Sequence, residues 1–188
     1  SYVKKQGING AIWALIALDS GKYEIPTSTT GNQVTREALV QEIIGAQMAD
    51  GMWSLDGTNG EVDLTAMALQ ALAPYVSDAA VQAAVDLALQ TLSAKQNVNG
   101  DFGTGSDAST ETCAQVVVAL TSLGIDPNTD SRFVKAEGSA LNALLRYYEN
   151  GMFRHVTGGS ANQMATEQAY YAMVAYKRLL NGQTSLYD

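Results

Sequence analysis

Apolar positions along the chain recur with the period of a helix, and turn residues cut that pattern into seven stretches. The first predicted helix covers 6–20 on Ile12, Trp13, Leu15, Ile16 and Leu18, and stops at Gly21 with Pro26 just beyond. A polar loop rich in Thr, Ser, Gly and Asn follows over 26–34. Thr35 is a good N-cap for a second helix over 35–48. A third is predicted over 62–76, and Ser77 caps a fourth over 77–96. In the fourth, Val81, Val85, Ala88 and Leu92 share one face while Gln82, Asp86 and Gln90 share another, which is the amphipathic pattern. A fifth is predicted over 109–123, closed by Gly124 with Pro127 after it, a sixth over 139–149 and a seventh over 165–181. No stretch alternates as a strand would, so the expected class is all-α.

The helices are of two kinds. The third, fifth and seventh are apolar nearly all round, whereas the second, fourth and sixth carry a polar face. A helix apolar on every side must be buried on every side, so inner helices lining a core and outer helices shielding them are expected. Three turns between the two kinds share one pattern: Gly51-Met52-Trp53, Gly100-Asp101-Phe102 and Gly151-Met152-Phe153. They stand about 50 residues apart, a period that marks repeat architectures whose units bury their faces by stacking. Gln47 and Gln96 each stand four residues before a turn glycine, and Tyr147 holds that place in the third turn. The glycine supplies positive φ, the aromatic folds back to plug the hairpin, and the Gln amide bonds backbone groups left free at neighbouring helix ends. Asp63, Glu111 and Glu167 fill one column, in the first turn of the third, fifth and seventh helices, and Asn9 takes that column in the first.

Gln47-Met-Ala-Asp-Gly-Met-Trp53 resembles the Gln-x-x-x-Gly-x-Trp motif of squalene and terpene cyclases, and Gln96-Asn-Val-Asn-Gly-Asp-Phe102 is a softened copy. Over nearly its full length the chain looks like the prenyltransferase/squalene-oxidase repeat family. That resemblance implies a single domain over 1–188 forming a partial α/α toroid of inner/outer helix hairpins, because a full ring has about six hairpins and fewer are present. Val62-Asp63-Leu64-Thr65-Ala66-Met67-Ala68 is similar to a segment of the cobalamin-binding intrinsic factor/transcobalamin helical domain. The run Asn162-Gln-Met-Ala-Thr-Glu-Gln-Ala-Tyr-Tyr171 is closest in look to repeat domains of bacterial surface proteins, which implies an extracellular or cell-surface setting.

Composition narrows the partners. Hydrophobic residues make up 46% and charged residues 16%, as in a globular chain. With Lys+Arg 11 against Asp+Glu 19 the net charge is -8, which argues against nucleic acid and against an anionic membrane surface. No apolar run is long enough for membrane insertion. One Cys, Cys113, excludes an intrachain disulfide. The chain opens at Ser1 without Met and enters a helical pattern almost at once, as a piece of a longer protein would.

Each constellation that could carry chemistry has a plainer reading. Glu61-Val-Asp63-Leu-Thr-Ala66 overlaps the Asp-x-Asp-Asp-Thr-Ala acid of class II cyclases, with Asp63 at the proton-donor position. A lone carboxylate in a first helical turn is instead held as an anion by the helix dipole. Glu111-Thr-Cys113 has the spacing of the Asp-x-Cys zinc pair of protein prenyltransferases, but the only His, His155, stands in the loop after Phe153. Asp126, Asn128, Asp130 and Glu137 imitate calcium-loop spacing, with Ser131 where that loop needs Gly. The run Gly100-Asp-Phe-Gly103-Thr-Gly105 has no following apolar helix and no nearby Lys to make a phosphate loop. Tyr170 and Tyr171, with Tyr147, Tyr148 and Tyr176, could line a ligand cleft or simply pack.

The expected function is therefore a non-catalytic prenyltransferase-like repeat domain of a bacterial cell-surface protein, with no cofactor. It would bind a small molecule, a glycan or a protein through Asp63, Glu111, Glu167, Trp53, Phe102, Tyr170 and Tyr171. Two alternatives stay open: a fragment of an isoprenoid enzyme, cyclase or prenyltransferase, and a structural module that self-associates through the open toroid edge.

Overall fold

The structure, a computed structural model, describes residues 3–29, 31, 33–103 and 108–187. Thr30 and Asn32 of the polar loop, Thr104 and Gly105 of the glycine-containing run, and Ser1 lie outside the described residues. Seven α-helices form among them: α1 Ile8–Ser20, α2 Arg36–Gly45, α3 Val62–Leu72, α4 Ala79–Lys95, α5 Thr110–Ser122, α6 Ala140–Leu145 and α7 Gln163–Leu180.

Side chains set most of the starts. Thr35 accepts from the Ala38 N–H and Ser109 from the Thr112 N–H, each at 3.1 Å. Ser139 and Asn142 form a reciprocal capping box at α6. Asp78, not Ser77, caps α4, accepting from Ala80 N–H at 2.8 Å and Val81 N–H at 3.2 Å. The third helix ends early, at Leu72, and a 3₁₀ turn over Ala73–Tyr75 carries Pro74.

The all-α expectation, and with it the partial toroid of inner/outer hairpins, is overturned. The helices are accompanied by a two-stranded antiparallel sheet, β1 Val134–Lys135 with β2 Gly138–Ser139. A three-stranded antiparallel sheet joins β3 Tyr148–Glu149, β4 Met152–Arg154 and β5 Ala161–Asn162. The physical reason is clearest at the third turn. Asn150 at φ 50 and Gly151 at φ 86 both occupy the left-handed region, as the two central residues of a type I′ hairpin do. The chain therefore reverses as a ribbon, pairing Glu149 with Met152 and Tyr148 with Phe153, and α6 stops at Leu145. The first two turns reverse differently, through three-residue loops in which only Gly51 and Gly100 are left-handed: Met48 N–H donates to Met52 O and Asn97 N–H to Asp101 O.

The described chain forms two compact units, one drawn from Ser1–Ala88 and Tyr187–Asp188, the other from Leu89–Leu186. In the first, α1 packs on α2 and α3 around Ile12, Leu15, Ile43, Trp53, Leu69 and Leu72. Asp19 at the end of α1 ties this unit together: it accepts from Arg36 Nε at 2.6 Å and from the Tyr75 hydroxyl at 2.8 Å. In the second unit, α5 packs along α7. α5 is buried on all sides from Cys113 to Thr121. α7 is not, contrary to the inner-helix expectation. It buries only Ala165, Ala169, Ala172 and Ala175, small residues on one stripe that let α5 lie close, while Tyr170 and Val174 stand half-exposed.

Candidate functional site

The repeated residues are built into the scaffold. Gln47 Nε2 donates to Gly51 O at 2.9 Å and to Ala84 O at 2.8 Å. Gln96 Nε2 repeats this in the second unit, donating to Gly100 O at 2.9 Å and Phe133 O at 3.0 Å. Each amide closes its own turn and fastens it to a segment 37 residues further on. Trp53, Phe102 and Phe153 are fully buried, and Trp53 Nε1–H donates to Ile43 O at 2.7 Å. Trp53 and Phe102, expected as ligand contacts, are therefore core plugs.

The acidic column is corrected. α7 starts at Gln163 with Asn162 as its cap, and its first turn holds no acid. Glu167 falls a turn later and is exposed. The residue that recurs is Thr. Trp53 N–H donates to Thr65 Oγ1 at 3.0 Å, and Phe153 N–H to Thr166 Oγ1 at 2.9 Å. Each Thr hydroxyl in turn donates to the carbonyl four residues before it, Glu61 O and Asn162 O. In the second turn Cys113 holds the equivalent place and Asp101 accepts instead. The Asp101 Oδ1 takes the Phe102 N–H at 2.8 Å and the Cys113 thiol at 3.0 Å. Its Oδ2 takes the Tyr147 hydroxyl at 2.6 Å, with Arg146 Nη2 at 3.8 Å. Sequence spacing held a signal for the threonines, which stand 12 and 13 residues after their aromatics. Nothing local pointed to Asp101.

The remaining candidates separate. Asp63 is half-buried in the first unit and accepts from the Leu64 N–H at 2.9 Å. Glu111 meets His155 at 2.8 Å, but Cys113 faces Asp101, and the described residues hold no group of three that could take a metal ion. Burial pushes the Cys113 thiol well up, and the neighbouring Asp101 carboxylate adds to this. A thiol held neutral is a poor metal ligand. In the calcium-like loop, Asp126 accepts from its own Asn128 N–H and both Asp130 oxygens take Arg132 donors. Tyr170 lies edge-on to Phe153 with centroids 5.9 Å apart and donates to Gly151 O. Tyr171 bonds Gln115 and Gln168 in the α5–α7 seam.

Cys113 yields a direct test. In the native protein it should resist thiol reagents over minutes to hours, and it should react at once in denaturant. Native-state labelling at the denatured rate would contradict the buried Asp101–Cys113 contact.

The second unit has a cleft of about 660 Å³, inside the range that takes small ligands. Its lining includes Gln96, Asn97, Asn99 and Asp101 on the second turn, and Ala108 and Thr157 from beyond it. Neither a protein-family model nor a curated protein matches the chain. No helix among the described residues is long and apolar enough to cross a membrane.

Proposed function

We propose that the chain is a non-catalytic binding domain of a bacterial cell-surface protein, and that the cleft of the second unit takes its ligand. The cleft itself carries this reading: a concave, amide-rich surface formed on a repeated turn. The zinc-like pair and the calcium-like loop fit this reading, since their polar atoms are committed elsewhere: Cys113 to Asp101, Glu111 to His155, Asp130 to Arg132. The cell-surface setting rests on the resemblance of the segment 162–171 to repeat domains of bacterial surface proteins. What is carried over from that family is the turn and the setting, not the ring.

A thermal-shift panel tests the proposal. It holds cobalamin, farnesyl and geranylgeranyl diphosphate with Mg²⁺, and neutral sugars. A ligand at about 100 times its Kd adds roughly 2.7 kcal/mol, which raises the midpoint by about 5–10 °C in a chain of this size. The expected shift comes from an uncharged polar compound. A shift confined to a prenyl diphosphate would restore the isoprenoid-enzyme reading, and a flat panel would remove the cleft as a small-ligand site.

A further inference from the structure

Gln47 and Gln96 perform the same structural task with the same atom. In each, Nε2 donates to two backbone carbonyls, which fixes the orientation of the amide and leaves Oε1 as the spare group. Gln47 is half-buried. Gln96 is only 7% exposed, and its Oε1 is buried with no hydrogen-bond partner. Unsatisfied buried acceptors are few in folded proteins, and this one belongs to a residue lining the cleft.

The rest of the lining selects a chemistry. Asn97 commits Nδ2 to Gly103 O, and Asn99 commits Oδ1 to the Asp101 N–H. Asn97 Oδ1 and Asn99 Nδ2 make no bond among the described residues, so the described lining carries both acceptors and a donor that are not taken up. Hydroxyl groups, which donate and accept at once, match such a row. A cation would find Asp101 already saturated by Phe102, Cys113 and Tyr147, with Arg146 beside it. An anion would find one cation nearby, and it is engaged: Arg146 Nη1 donates to Asn99 O at 2.6 Å and Nη2 stands 3.8 Å from Asp101. Val98 and Ala108 supply apolar surface for the C–H face of a ring.

We infer that Gln96 Oε1 anchors a subsite for a neutral hydroxyl-bearing ligand of the carbohydrate class, a specialisation that rests on the binding-domain reading above. The test is a titration of ¹⁵N-labelled protein, following side-chain amide resonances. The probes are methyl glucoside, methyl galactoside, N-acetylglucosamine, maltose and cellobiose, each to roughly 20 mM, enough to detect millimolar binding. At least one sugar should move the Gln96 and Asn99 amides saturably while Gln47 stays still. Val98→Trp, at a position 63% exposed, should fill the cleft and weaken that binding at least about tenfold without moving the unfolding midpoint. A sugar that binds without moving Gln96, or that binds Val98→Trp equally well, overturns the subsite and leaves the binding-domain reading intact. Silence from all five sugars, with a shift from cobalamin, overturns the carbohydrate class alone, and a shift confined to a prenyl diphosphate overturns both readings. Silence from both panels overturns both readings.

Discussion

Gly100→Ala is expected to destabilise the second unit by about 3–5 kcal/mol, whereas Gly151→Ala, in the corresponding turn, should cost only about 1–2 kcal/mol. The two glycines have nearly the same backbone, φ 88 and φ 86, so the penalty of about 1–2 kcal/mol for an L-residue in the left-handed region is common to both. They differ in surroundings. A Cβ at Gly151 would meet nothing within 4 Å. A Cβ at Gly100 would stand 2.2 Å from Ser139 O and 2.9 Å from Gly138 O. Those are backbone atoms, and Ser139 is held by its capping box with Asn142, so the neighbour cannot step aside without loosening the start of α6. Gly51 is intermediate: its closest neighbour is Leu87 Cγ at 2.6 Å, a side-chain atom that can rotate, with Leu87 backbone at 3.0 Å. Urea denaturation of the three variants should rank them Gly100, Gly51, Gly151 from most to least damaging. Equal losses at Gly100 and Gly151 would mean that the close approach to Ser139 does not constrain the turn. Gly100→Ala should also weaken ligand binding, because Gln96 is oriented partly by the Gly100 carbonyl.

Those three turns show where sequence reading holds and where it fails. Cap chemistry is local, and Thr35 and Ser109 start their helices as expected. The same logic slipped at Ser77, because Asp78 one residue later is an equally good cap and takes the bonds. The strands were invisible to periodicity: two or three residues are too few to alternate. The one sequence signal for β3 and β4 is Asn150-Gly151, the favoured pair for a two-residue hairpin. The expected function of the turn glutamines, bonding backbone at neighbouring ends, matches what Gln47 and Gln96 do. The site was less legible. Placing the start of α7 at 165 rather than at Gln163 put Glu167 in a column that belongs to Thr166. The Asp101 knot draws on Tyr147, 46 residues away, a distance over which no local pattern operates. The spare acceptor of Gln96 follows from burial alone, and burial is a property of the folded unit.

Trp53→Ala is expected to cost about 4 kcal/mol in the first unit, a large share of the roughly 5–15 kcal/mol that holds a domain together. The ring is fully buried among the α1–α2–α3 core, and truncating a buried aromatic to Ala typically costs about 3–5 kcal/mol through lost transfer energy and the cavity left behind. The indole N–H bond to Ile43 O contributes about 1 kcal/mol of this. Its loss does not orphan the carbonyl, because Ala46 N–H also donates to Ile43 O at 3.2 Å. Trp53→Phe should therefore keep the plug, lose the bond and cost about 1–2 kcal/mol, close to the chemistry already present at Phe102 and Phe153. Fluorescence reports the change cleanly, since Trp13 is the other of the two tryptophans and is 37% exposed. Either substitution should shift native emission to the red by removing the buried indole. The pair of variants also separates core from ligand wall. A wall residue would leave stability almost unchanged and abolish binding, whereas a plug lowers stability first. Trp53→Ala with an unaltered unfolding free energy would return Trp53 to the list of ligand contacts.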